Sequence, residues 1–178
     1  MTVTTAALLL VAAPLAQTPS EHALQLEKQA MNTLAYWGTG NVLAGGLGAL
    51  LTDDAQLEAF HTMNASWGAV NLGLALVGTA SSRRETAPKS QHERWLRLPS
   101  IFAFNAGLDV AYISAGAWLW STGAGTDNPT QEGWGQSLVL QGSALMIFDL
   151  WMAQRFNEAN RRIWLSTHPA GTAIQGHF

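Results

Sequence analysis

The chain has 178 residues, of which 48% are hydrophobic and only 12% charged, with no cysteine and a formal net charge of −3. The missing cysteine excludes disulfides, zinc–thiolate sites and a cysteine nucleophile, and a small acidic balance with no basic stripe excludes nucleic acid as a partner. The charged share is about half that of an ordinary soluble domain, and a mean hydropathy of +0.08 conceals how strongly the charges are bunched.

The chain opens on "TTAALLLVAAPLAQ" within an apolar segment, residues 1–20. It resembles a signal-peptide core, although no Lys or Arg precedes it. Two readings are open: an uncleaved anchor, either a short span or a helix at the membrane surface, and a cleaved signal, which would invert the topology derived below. The uncleaved segment is the favoured one. After it come four long stretches almost free of charge. Residues 29–52 and 59–82 contain none, 98–126 contain only Asp109, and 133–154 only Asp149. About 20 mainly apolar residues suffice for a helix to cross a bilayer, whereas a soluble bundle carries charge along every exposed face. The expected fold is therefore all-α: a transmembrane helical bundle with spans at about 29–52, 59–82, 98–121 and 133–154. They lie in a membrane domain, 21–165, followed by a polar tail, 166–178.

Alternating spans place all nine Lys and Arg on one side: Lys28, then Arg83, Arg84, Lys89, Arg94 and Arg97, then Arg155, Arg161 and Arg162. The opposite loops hold Asp53, Asp54, Glu58, Asp127 and Glu132 without a base. By the positive-inside rule the basic loop 83–97 and the C-terminal tail are expected to be cytoplasmic. Trp118, Trp120 and Trp134 near the acidic ends, with Trp95, Trp151 and Trp164 near the basic ends, read as an aromatic belt.

The motif "WGTGN" at 37–41 returns as "WGAVN" at 67–71. Asn41, Asn71, Asp109 and Gln141 each lie 12 to 14 residues from the nearest cation of the basic side, namely Lys28, Arg83, Arg97 and Arg155. At about 1.5 Å per residue all four reach a common depth, so each span is expected to give one polar side chain to a mid-membrane layer bonded within the bundle. Trp37 and Trp67 flank that layer, Gly38 and Gly68 permit close helix approach, and Gly107, Ala111 and Ala115 form a ridge of small residues on the third span. With no Lys or Arg inside any span, Asp109 is expected to be partly or wholly protonated among Asn41, Asn71 and Gln141, with Asn105 one turn away on the same face. Such a layer serves as packing glue or as a site for a proton or small polar ligand. Asp149, six residues from Arg155, is expected to be structural, paired by snorkelling of Arg94 or Arg97.

No nucleophile–base pairing, phosphate loop or dinucleotide fingerprint occurs, no catalytic residue or metal ligand set is assigned, and no cofactor is implied. Of the histidines His22, His61, His92, His168 and His177, none lies at mid-depth. His61, at the acidic mouth of the second span, is expected to be structural.

The set "WGxxN", "HxMNxxWGxxN", "FNAGLDVAYISAG" and "LQGSALMIFD" over residues 31–150 resembles an uncharacterised bacterial family of small integral membrane proteins, a domain of unknown function. The resemblance implies four spans, often after a signal-like N-terminus, and no activity. The function expected is a non-enzymatic membrane protein, a structural or accessory subunit that forms a homo-oligomer or joins other membrane proteins in the lipid bilayer. The alternative is a small-molecule or proton binder or transporter built on Asp109.

Overall fold

The structure is a computed structural model that describes residues 18–84 and 88–167. The apolar segment expected at 1–20 lies outside the described residues as far as residue 17. So does the tail from His168 onward, including His177. Four helices follow one another, α1 (Pro19–Leu51), α2 (Ala55–Arg84), α3 (Pro88–Gly125) and α4 (Pro129–Thr167), with no strand among the described residues. The all-α class expected from the sequence is the class observed.

The starts of α1, α2 and α4 carry recognisable caps. Thr18 and Glu21 form a reciprocal capping box: the Thr18 N–H donates to Glu21 Oε2 at 2.8 Å and the Glu21 N–H to Thr18 Oγ1 at 3.2 Å. These bonds, first that to the Thr18 backbone, hold the Glu21 carboxyl below the usual carboxylate range. Asp54 Oδ1 accepts from the Gln56 and Leu57 amides at 2.9 Å, and Asn128 Oδ1 accepts from the Gln131 amide at 3.1 Å. Both satisfy donors that a helix start leaves without partners. Inside α3, Pro99 cannot supply the N–H that the Trp95 carbonyl would ordinarily receive. Asn160 Nδ2 of α4 supplies the missing bond, 2.9 Å from that oxygen.

Two antiparallel hairpins result, α1–α2 and α3–α4, and glycine sets how closely their helices approach. A Cβ on Gly38 would sit 2.7 Å from the Gly68 carbonyl oxygen, and one on Gly68 would sit 2.6 Å from that of Gly38. The paired glycines of the repeated motif thus form the α1–α2 crossing. In the second hairpin Gly116 faces the Gly135 carbonyl oxygen at 2.9 Å by the same construction. Helix α4 lies against α2 and to a lesser extent α1, while α2 and α3 scarcely pack together. Consecutive helices usually neighbour one another in such bundles. Here a groove separates these two.

The interior changes character along the bundle. At the basic end the core is hydrophobic: Ala23, Leu26 and Ala30 of α1, Trp95 and Phe102 of α3, and Met152, Phe156, Ala159 and Ile163 of α4. Along the neutral stretches, small or polar residues are buried instead, among them Gly38, Asn64, Gly68, Asn71, Asp109, Gly135, Ser137, Gln141 and Asp149. The large apolar side chains there point outward, including Leu43, Leu47, Leu51, Val70, Leu74, Val77, Phe104 and Ile147. The helices also continue past the neutral stretches at the basic end, where α1 begins at Pro19 and α4 ends at Thr167. In that overhang Glu27 of α1 accepts from Arg94 Nη2 of α3 at 2.6 Å and from Trp95 Nε1 at 3.3 Å, with the Ser82 hydroxyl against its other oxygen.

Two expectations change. Trp95 is only 3% exposed and belongs to the core rather than to an aromatic belt, because the overhang of α1 and α4 covers it. Gly107, Ala111 and Ala115 are all exposed, so their ridge does not form a helix interface among the described residues. The side of α3 toward α4 carries Ala106, Asp109, Ile113 and Gly116. Among the described residues one helical stretch, Gln91–Gly125, is both long and apolar enough to cross a membrane by mean hydropathy, and only 22% of its most apolar window is buried. In the other helices Gly, Ser, Thr, Asn and Gln dilute the mean.

The glycine crossing is testable against an internal control. Gly38→Val forces α1 from α2 and is expected to destabilise by about 1–3 kcal/mol or more through overpacking. Gly40→Ala, where no atom lies within 4 Å, is expected to be neutral or stabilising by up to about 1 kcal/mol. Thermal unfolding by circular dichroism measures both.

Candidate functional site

The polar residues expected in one layer form two separate groups. The first is centred on Gln141, which is 1% exposed. Its Oε1 accepts from Trp37 Nε1 of α1 at 2.9 Å, and its Nε2 donates to Asn41 Oδ1 at 2.6 Å and to Asn64 Oδ1 of α2 at 2.7 Å. Ser137, one turn earlier on α4, donates to the same Asn64 oxygen at 3.0 Å. Asn41 Nδ2 closes the group on its own helix, donating to the Trp37 carbonyl at 2.8 Å. The first and last polar residues of "WGTGN" thus share one device: the ring binds Gln141 and the carbonyl anchors Asn41. The amide of Gln141 uses its acceptor and both donors.

The second group lies on the other side of α4. Asp109 of α3 is level with Gly142, whose added Cβ would be 3.1 Å from the Asp109 carbonyl oxygen. Its carboxyl lies beside that of Asp149 in the wall of one groove, and two carboxyls so placed with no base between them favour retaining a proton. This corrects the ion pair expected for Asp149. Arg94 is engaged with Glu27, and Asp149 turns toward α3 instead. Asp109 and Asp149 line the α2–α3 groove with Asn71 and Asn105, in a cavity of about 330 Å³ with no basic residue in its wall. Asp109 and Asn71 are 4% and 2% exposed. Asp109 Oδ2 and Asn71 Nδ2 nevertheless find no hydrogen-bond partner among the described residues. Each such atom costs about 1–3 kcal/mol if nothing occupies the space beside it.

Trp67 does not join Gln141. Its ring meets Tyr112 of α3 edge to face, centroids 4.9 Å apart, and forms one end of the groove. His61 lies over α1 where Gly48 leaves room, since a Cβ there would be 2.5 Å from His61 Nδ1. Its ring is also edge-on to Phe60. No group of three or more possible metal-binding side chains occurs among the described residues.

Sequence depth found the level of these groups but missed Asn64 and Ser137. A signal for both was present. Asn64 stands seven residues before Asn71 and Ser137 four before Gln141, spacings that put each pair on one helical face.

An all-α bundle with a buried carboxyl pair defines a class of architecture rather than an activity. The chain belongs to a family of unknown function (DUF6992), which it matches over residues 33–150. That region contains every residue of both polar groups. No curated protein and no solved structure matches the chain.

Replacing Gln141 by Leu strands the Trp37 donor and the Asn41 acceptor. Interhelical bonds of this type contribute about 0.6–1.7 kcal/mol each, so the expected loss is about 2 kcal/mol. That corresponds to a fall of roughly 4–8 °C in unfolding midpoint for a chain of this size, with a changed tryptophan emission. Gln154→Leu, on the exposed surface of the same helix, is expected to leave both unchanged.

Proposed function

We propose that this protein is an integral membrane protein of four spans, in a bacterial inner membrane with its basic end cytoplasmic, which binds a proton or small polar group at the Asp109–Asp149 pair. The polarity of the bundle supports the membrane placement. A chain folded in water has no reason to bury Asn64, Asn71, Ser137 and Gln141 while exposing Leu43, Leu47, Val70 and Leu74. Between helices in lipid, small residues and side-chain hydrogen bonds are the available sources of association. The carboxyl pair beside two unpartnered buried atoms is the observation that carries the binding reading, because packing glue would use those atoms.

A second reading, an accessory subunit that oligomerises or joins other membrane proteins, is favoured by the outward ridge of Gly107, Ala111 and Ala115. Such ridges let helices of separate chains approach closely. The two readings use opposite faces of α3 and are compatible.

Because the chain has no cysteine, single cysteines report topology cleanly. Thr126→Cys is expected to react with an impermeant maleimide in intact cells, and Arg161→Cys only in inverted vesicles or after lysis. Equal labelling of both from outside refutes the orientation, and recovery of the protein in the soluble fraction refutes the membrane placement.

Asp109→Asn tests the site. The substitution keeps a donor for Asp149, so the unfolding midpoint is expected to stay within a few degrees. The pH-dependent infrared signal of a buried protonated carboxyl is expected to disappear or shift. An unaltered signal, or collapse of the fold, removes the proton-binding reading.

A further inference from the structure

The two unpartnered atoms of the groove have different hydrogen-bonding requirements. Asn71 Nδ2 only donates. Asp109 Oδ2 accepts whenever it carries no proton itself. A single group that accepts from one and donates to the other satisfies both, and a hydroxyl is the smallest head that does so. An ammonium leaves Asn71 without an acceptor, and an ether or ester oxygen leaves Asp109 without a donor.

The remainder of the groove is apolar and open along its side. Val70 and Leu74 of α2 and Ile101 and Leu108 of α3 flank the opening, all at least 41% exposed. Leu145 and Phe148 of α4 form part of its wall. The opening lies along the bundle, because α2 and α3 scarcely pack together, and on the membrane reading it faces lipid. A water molecule would answer the polar atoms but leave this apolar channel empty. A volume of about 330 Å³ is within the range of small-molecule sites.

We infer that the α2–α3 groove binds a single-chain amphiphile bearing a hydroxyl head, which enters sideways from the lipid and places its hydroxyl between Asn71 and Asp109. This rests on the binding reading above and names its ligand class. A fatty alcohol and a long-chain phenol share the required chemistry.

The test uses the full chain in nanodiscs of saturated phosphatidylcholine, with dodecanol, dodecylphenol, dodecylamine and dodecyl methyl ether as probes and occupancy read by native mass spectrometry. Dodecanol or dodecylphenol is expected to saturate at one per chain, at least about tenfold tighter than the amine and the ether, since unpaired buried groups penalise the wrong head. Whichever of the two binds tighter identifies an aliphatic or aromatic source. Asn71→Leu and Asp109→Leu are each expected to weaken the hydroxyl probe about tenfold and leave the ether unchanged. Leu74→Trp, which narrows the opening, is expected to weaken every probe. Equal binding of all four probes, unaffected by the variants, overturns the inference. Preferential binding of dodecylamine that depends on Asp109 also overturns it while leaving the carboxyl pair as a site. Insensitivity of every probe to both variants, together with an unchanged infrared signal in Asp109→Asn, removes both readings.

Discussion

Side-chain amides and carboxyls enclosed between long neutral helices have no water to turn to, so every donor and acceptor must be answered within the bundle or by something bound there. The Gln141 amide meets that requirement completely, with Trp37, Asn41 and Asn64 drawn from two other helices. Its bonds hold α1, α2 and α4 at one rotation about their axes. The glycine crossing of Gly38 and Gly68 then becomes possible, because the helices are already turned with their smallest residues inward. Asn71 and Asp109 meet the same requirement only in part. Asn71 Nδ2 and Asp109 Oδ2 both line the α2–α3 groove, where the proposed ligand would answer them.

The bundle thus has two regions with different sources of stability. At the basic end, where α1, α3 and α4 overhang, Leu26, Trp95, Met152, Phe156 and Ile163 exclude water in the ordinary way. Along the neutral stretches the hydrophobic effect contributes little to association between helices if the surroundings are equally apolar, and close backbone contact with hydrogen bonding replaces it. The Glu27–Arg94 pair lies in the overhang, with Trp95 and Ser82 completing its bonds. This arrangement engages the half-buried Arg94 with Glu27, and Asp149 lies beside Asp109 in the groove. A carboxyl pair, unlike a carboxylate–guanidinium pair, is stabilised by retaining a proton, and the proposed proton site rests on that difference.

Helix existence and number were legible in the chain, because uninterrupted neutral stretches and their charged boundaries are one-dimensional properties; the extension of α1, α3 and α4 past those stretches was not. The level of Asn41, Asn71, Asp109 and Gln141 along the bundle was legible too, since a helix advances by a constant rise per residue. The chain alone also set the sorting of charge to opposite ends and the recurrence of Trp and Gly before Asn41 and Asn71. Depth, however, says nothing of rotation or of which helices are neighbours. Only the tertiary structure decided that α4 lies against α2 while α3 stands apart from α2, and that Gln141 faces one side of α4 and Asp149 the other. It alone turned Asp149 toward Asp109, placed Trp95 in the core, and directed the Gly107 ridge outward. The physical reason is that a side chain's partner depends on the azimuth of its helix and on the packing order of all four helices. Both follow from contacts between residues far apart in sequence, which no local pattern encodes.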